Sequence, residues 1–307
     1  MTHEIMRIGV DLGGAKIEAI ALGAEGETLE RRRVATPAND YAAIVAAIAK
    51  LVGDIESEIG RRGQVGVGAP GAISTHTGLV KNSNTAVLNG KPLDADLAQA
   101  LGRPVRVAND ANCFALSEAV DGAGRGAGVV FGVILGSGVG GGVIVDGRIV
   151  EGRNRIAGEW GHTPLPWMTE DEYPGDTCFC GHKGCIETFL CGAGIARDYE
   201  RRSGVRRVST EIAALAEASD PAARESFARY QDRLARALAM VVDLIDPDVI
   251  VLGGGLSNIA RLYDGLAARV GEQAFTDAFD TKILPNAHGD SSGVRGAAWL
   301  WRAGEIG

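Results

Sequence analysis

The chain has 307 residues, and its 31 Lys plus Arg against 39 Asp plus Glu leave a net charge of −8, which argues against a protein that tracks a nucleic-acid backbone. No run of about 18 uninterrupted apolar residues appears and Met1 to Met6 lacks an apolar signal core, so a cytoplasmic protein with no membrane partner is expected. Five cysteines, three of them within eight positions, fit a metal cluster in a reducing compartment better than a disulfide framework, and the length suits two medium domains.

In chain order, Arg7 to Leu12, Ile17 to Leu22 and Thr28 to Ala35 read as three strands of an antiparallel meander. Ile44, Ile48, Leu51, Val52, Ile55 and Ile59 recur at helical spacing, which predicts an amphipathic helix over Tyr41 to Ile59. Val65 to Gly68 resumes a strand, Asp94 to Leu101 is a short helix, and Pro104 to Ala108 is a strand ending at Asn109-Asp110, where another helix begins. The second half repeats the plan. Val129 to Leu135 is a strand, Gly142 to Val150 a hairpin turning at Asp146-Gly147, Pro221 to Ile245 the longest helix, Val249 to Leu252 a buried strand, and Val294 to Trp301 a closing helix. Two similar α/β halves are implied.

The 44 glycines are grouped, which places backbone close to a ligand at strand ends. In Asp11-Leu12-Gly13-Gly14-Ala15-Lys16 the amides freed by Gly13 and Gly14 face an anion, Lys16 approaches it, and Asp11 holds a hydrated Mg²⁺; an ordinary glycine hairpin is the alternative. Gly136-Ser137-Gly138-Val139-Gly140-Gly141 matches the dinucleotide signature G-x-G-x-x-G, yet a strand and not a helix follows it, so a second phosphate loop is the better reading. Gly253-Gly254-Gly255 opens a helix after a buried strand and admits a flat nucleoside, or is a tight turn.

Between Gly158 and Glu187 the chain carries Glu159, His162, Cys178, Cys180, Cys185 and Glu187. Three thiols and an imidazole, with no vacancy, describe a structural Zn²⁺ held by His162, Cys178, Cys180 and Cys185, and two carboxylates are left for a polar substrate. His182, inside the short loop, is a rival fourth ligand. Cys113 and Cys191 read as small buried hydrophobes.

With these pieces placed, the chain resembles the ROK family of sugar kinases within the actin and hexokinase superfamily. Asp11 to Lys16 resembles its first phosphate loop, Gly68-Ala69-Pro70-Gly71 its G-x-P-G turn, Gly136 to Gly141 its second phosphate loop, and Glu159-Trp160-Gly161-His162 with Cys178 to Glu187 its zinc signature. Ala15 stands where the family usually has threonine, which removes a hydroxyl contact to phosphate, whereas Ser137 keeps its own. Within the family, Asn82-Ser83-Asn84, Leu88 to Pro92, Ala157 to Trp167 and His288 to Trp301 resemble bacterial fructokinases and manno(fructo)kinases.

The resemblance implies an α/β, actin/hexokinase-like (ribonuclease H-like) fold of two domains around a central cleft, with a zinc-binding loop. Residues 1–107 with a closing helix 292–307 would form the smaller domain and 108–291 the larger. The implied activity is ATP- and Mg²⁺-dependent phosphorylation of a hexose at the 6-hydroxyl, fructose preferred, by a homodimer; the alternatives are an N-acetylglucosamine, mannose or glucose kinase, or a non-catalytic sugar-sensing regulator. Asp110 is the expected proton acceptor, with a helix N-cap as its plain alternative. Gly71, Asn84, Asn109, Asp110, Glu159, His162 and Glu187 are the expected sugar contacts. Asp11, Gly13, Gly14, Lys16, Gly136, Ser137, Gly138, Gly140, Gly254 and Gly255 are those expected to hold the nucleotide. Repressors of the family carry a helix-turn-helix ahead of the first strand, which here starts at about Arg7, so a kinase is expected over a DNA-binding regulator.

Overall fold

The computed structural model describes residues 6–289 and 292–302. Its contacts divide the chain into two units, Met1–Gly126 with Gly142–Ala157 and Asp290–Gly307, and Ala127–Gly141 with Gly158–Gly289.

The first unit is built on β1 (Arg7–Leu12), β2 (Lys16–Leu22), β3 (Thr28–Ala35), α1 (Tyr41–Ile59), β4 (Gln64–Ala69), the short β5 (Ala72–Ile73) and β6 (Val80–Lys81), α2 (Leu93–Leu101), β7 (Val105–Asn109) and α3 (Asp110–Val120). The sheet order is β3-β2-β1-β4-β7. The meander pairs antiparallel, while β1, β4 and β7 run parallel. Along α1 the apolar stripe of Ile44, Ile48, Leu51, Val52 and Ile55 is buried as its 3.6-residue spacing requires, and Asp40 caps the start by accepting from the Ala43 amide.

Parallel register brings the functional ends together. Asp11 pairs with Gly68, Gly68 with Ala108 and Ala69 with Asn109, so the carboxyl ends of three strands present Asp11 and Asn109-Asp110 at one sheet edge. That edge is where open α/β sheets bind ligands.

The second unit contains β8 (Val129–Leu135) and the start of β9 (Val139–Val145), which continues into the first unit to turn at Asp146-Gly147 and pair with β10 (Arg148–Ile149). Then follow α4 (Ile186–Leu190), α5 (Gly192–Ser203), α6 (Ser209–Glu217), α7 (Pro221–Ile245), β11 (Val249–Gly253), α8 (Leu266–Gln273) and β12 (Lys282–Pro285). The second sheet has the order β10-β9-β8-β11-β12, with β8, β11 and β12 parallel, which repeats the plan of the first. Helix α7 starts with Pro221 after the Asp220 cap and ends at Asp246 in the left-handed region.

The closing helix α9 (Ser292–Ala298) decides the division between the units. A side-chain carbon on Gly9 would meet the Val294 carbonyl at 2.0 Å, one on Gly66 the Ala297 carbonyl at 2.0 Å, and one on Gly296 the Cys113 carbonyl at 1.6 Å. Glycine at these places lets backbones touch, so α9 is wedged against the first sheet and α3. Buried Ser292 donates to buried Glu118 of α3 at 2.7 Å. Helix α3 and Asp110 therefore belong to the first unit, which extends past the boundary at 107 expected from the sequence. Residues 303–307 of the expected closing segment, and Asp290 and Ser291 ahead of it, lie outside the described residues. Among the described residues no helix is long and apolar enough to cross a membrane.

Candidate active site

In the first unit the Gly13-Gly14 loop is the tight turn of the β1–β2 hairpin, closed by the Gly13 amide donating to the Lys16 carbonyl at 3.0 Å. Thr36 supports it from beside, its hydroxyl donating to the Gly13 carbonyl at 2.7 Å and its amide to the Ala15 carbonyl at 3.1 Å. Gly14, Ala15 and Lys16 remain exposed. Lys16 lies 3.8 Å from Glu18, which is 1% exposed and also pairs with Arg31 and Arg33.

Asn109 rather than Asp110 caps α3. Its Oδ1 accepts from the amides of Ala111 at 2.9 Å and Asn112 at 3.2 Å, while its Nδ2 donates to the Gly71 carbonyl at 3.3 Å. Asn109, expected as a sugar contact, spends its side chain on this helix start and on the turn at Gly71. Asp110 becomes the first residue of the helix, with Oδ1 accepting from the Ala111 amide at 2.8 Å, and the positive helix end favours its charge. The plain N-cap alternative for Asp110 thus passes to its neighbour. Burial pushes the Asp11 carboxyl up to about 6, with the nearby Asp110 and Glu18 charges adding and Lys16 and Arg33 opposing. A carboxyl raised by burial and by a second carboxyl nearby is a place for a cation, and Asp11 has the hard oxygen that Mg²⁺ prefers.

Asn84 is exposed on a loop held by Asn89, which accepts from the Ser83 amide at 2.9 Å and donates to the Ser83 carbonyl at 2.8 Å.

In the second unit the cysteine segment folds as a tight knuckle. The Cys178 amide donates to the His182 carbonyl at 2.8 Å, and the Gly181 amide to the Cys178 carbonyl at 3.0 Å. The Ile186 amide donates to the Thr163 carbonyl at 2.9 Å, which brings the His162 segment alongside. The ligand atoms of His162, Cys178, Cys180 and Cys185 all lie within 4.8 Å of one another. Cys180 and Cys185 sulfurs are 3.6 Å apart and Cys178 Sγ is 3.5 Å from His162 Nδ1. A tetrahedron with Zn–S near 2.3 Å has edges of about 3.8 Å, so the four donors fit a zinc ion. His182 lies 3.6 Å from Cys180 but stands outside this mutually close set. His162 Nε2 is 4.0 Å from Glu159.

Glu187, an expected sugar contact, also reaches the second glycine loop. Its Oε2 accepts from the Val139 amide at 3.0 Å, and Oε1 lies 3.7 Å from Cys178 Sγ. Trp160 adds a hydrogen bond from Nε1 to the Gly140 carbonyl at 2.9 Å. The cysteine knuckle and its flanks therefore brace the loop Gly136 to Gly141. Gly254, at φ +81°, approaches the end of β8 so closely that a side-chain carbon would meet the Leu135 carbonyl at 2.5 Å, and it opens a short 3₁₀ helix over Gly255–Asn258.

A cavity of about 740 Å³ in the second unit is lined by Gly136, Ser137, Gly192, Ala193, Ala196, Arg206, Arg207, Thr210, Gly255 and Leu256, among others. It joins the second glycine loop to the third, as a nucleotide site built from both loops requires. Arg206, Arg207 and Thr210 are absent from the residues expected from sequence because no local pattern marks them. The only available signal was an Arg pair ahead of the Ser209 helix start.

A model of the ROK family matches residues 7–304. The N-acetyl-D-glucosamine kinase of Vibrio cholerae is 42% identical over 299 residues, covering 96% of this chain and 99% of the relative. That of Photobacterium profundum is 42% identical over 302 residues, with 96% and 99% covered. Among solved structures, a ROK hexokinase from Thermus thermophilus superposes with a TM-score of 0.85 at 30% identity, over 96% of this chain and 97% of that one. A ROK family glucokinase from Streptomyces griseus, solved with glucose and AMPPNP, gives 0.75 at 29% over 97% and 100%. These relatives do not support the leaning toward fructokinases; their names favour the alternative among the expected hexoses. With two sheets of one plan and these structural neighbours, the fold is actin/hexokinase-like and the chain belongs to the ROK family.

Proposed function

We propose that this protein transfers the terminal phosphoryl group of ATP to the 6-hydroxyl of N-acetylglucosamine. The observation that carries the sugar is the near full-length identity of 42% to kinases named for it. The chemistry is supported by the two carboxylates and glycine loop of the first unit and by the cavity of the second.

Asp110 accepts the proton of the sugar hydroxyl as the oxygen attacks phosphorus, held in place by the α3 amide it already engages. Asp11 holds Mg²⁺, which neutralises charge on the phosphates when bound. The exposed amides at Gly13 and Gly14, with Lys16, receive phosphate oxygens. In the second unit Ser137 and the Gly136 to Gly140 backbone take phosphates, Gly254 and Gly255 border the nucleoside, and Arg206 and Arg207 add positive charge. Asn84, Glu159 and His162 Nε2 address sugar hydroxyls. Zn²⁺ on His162, Cys178, Cys180 and Cys185 has a structural role, and metal analysis of the purified protein is expected to find about one zinc per chain; a well-folded sample without zinc refutes it.

A panel of N-acetylglucosamine, glucose, mannose and fructose in one coupled ADP-release assay tests the substrate. The highest kcat/KM is expected for N-acetylglucosamine, and a higher value for fructose overturns the choice of sugar while leaving the kinase.

A further inference from the structure

Thr85 stands beside the first glycine loop and its hydroxyl is not used where its position would suggest. It occupies the N-cap of a 3₁₀ turn (Ala86–Leu88) but makes no side-chain cap hydrogen bond. Threonine at such a position ordinarily turns its oxygen onto the helix amides. Here the hydroxyl makes a long 3.5 Å contact to Asn84 Oδ1, and a side-chain carbon on Gly14 would lie 3.8 Å from Thr85 Oγ1. The backbone of Thr85 is fixed: its amide donates to Ser83 Oγ at 3.1 Å, its carbonyl accepts from that hydroxyl at 3.2 Å and from the Leu88 amide at 3.0 Å. A rigid threonine thus offers a hydroxyl over exposed Gly14, next to Ala15, which has none.

We propose that Thr85 donates a hydrogen bond to the terminal phosphate of the nucleotide at the Gly13-Gly14 loop, supplying from the adjoining loop the hydroxyl that Ala15 lacks. This rests on the kinase reading. The same loop also carries Asn84, so sugar and phosphate are sensed by neighbouring residues of one rigid segment.

Steady-state kinetics of Thr85→Val and Thr85→Ser, with calorimetric binding of AMPPNP, test it. A hydrogen bond to a charged group implies a rise of about tenfold in the KM for ATP and in the AMPPNP Kd for Thr85→Val, with the sugar KM unmoved. Thr85→Ser retains the hydroxyl and is expected to behave as wild type; should Thr85→Val not fold, Thr85→Ala is read against it. An unchanged KM for ATP in Thr85→Val, a rise in the sugar KM alone, or equal damage from Thr85→Ser overturns the proposal. A wild-type protein that turns over ATP while Thr85→Val is unaffected refutes Thr85 only, whereas a wild type inactive with every hexose refutes the kinase reading beneath it.

Discussion

Asp11 and Asp110 show how one sheet edge sets the chemistry of single side chains. The Asp11 carboxyl is pushed up to about 6 by burial first and by Asp110 and Glu18 after it, from an ordinary 3.8. Between these values the folded chain binds more protons at Asp11 than the unfolded one, so this residue's cost to stability is absent below about pH 4 and complete above about pH 6. Asp11→Asn in metal-free protein is expected to be the more stable by about 1–3 kcal/mol at pH 7, with the gap closing by pH 4 in denaturant titrations. Asp110→Asn, which keeps shape and removes the base, is expected to lower kcat by about 10²- to 10⁴-fold while AMPPNP binding persists; near-normal turnover refutes the assignment. The sequence exposed Asn109-Asp110 as a pair at a strand end and offered Asp110 as the alternative cap of α3, whereas Asn109 is the cap. That depends on where the helix axis points, and only the fold sets it: Asn109 turns back onto two amides, leaving Asp110 one residue inside.

The cysteine knuckle and the second glycine loop form one mechanical unit. Glu187 accepts from the Val139 amide and Trp160 donates to the Gly140 carbonyl, so the segment that would bind zinc also holds the loop that would bind phosphate. Glu187→Ala removes a hydrogen bond to a charged acceptor and is expected to raise the KM for ATP by about 10- to 100-fold, more than it raises the sugar KM. A change confined to the sugar KM would return Glu187 to the role first expected of it. Cysteine spacing made this element legible in the sequence, because three thiols at C-x-C-x4-C spacing with a nearby histidine make up the soft donor set that zinc takes. Its grip on Val139 was not legible, since the partners are 48 positions apart and joined by one backbone amide. The long α7 and α1 were marked by their apolar periodicity, whereas α5 and α6, of 12 and 9 residues, are too short for that period to repeat more than two or three times.

Over the whole molecule, the segment leading into the knuckle is anchored by buried charge. Glu172 accepts from Arg233 at 2.8 Å and from Arg236 at 2.9 Å, both on α7, and Arg236 also donates to the Pro166 carbonyl at 2.7 Å. Burial alone would raise the Glu172 carboxyl, but the two guanidiniums and the Thr169 amide hold it below its ordinary value. Glu172→Gln removes one carboxylate from each of two buried arginines, Arg233 keeping Asp198 at 3.0 Å and Arg236 keeping Asp232 at 2.9 Å, and is expected to cost up to about 3–5 kcal/mol in chemical unfolding. A loss below about 1 kcal/mol, the range of exposed ion pairs, would show that Asp198 and Asp232 suffice to balance the two guanidiniums. By itself the sequence determined the strand and helix pattern, the paired glycine loops, the candidate metal ligands and the family, because each is written in spacing over short stretches. The tertiary structure decided that α3 and Asp110 belong with α9 and the first sheet, that Glu187 braces a loop, and that Arg206 and Arg207 line a cavity with Ser137 and Gly255. Those facts depend on backbones brought into contact by glycines far apart in the chain, which no local pattern records.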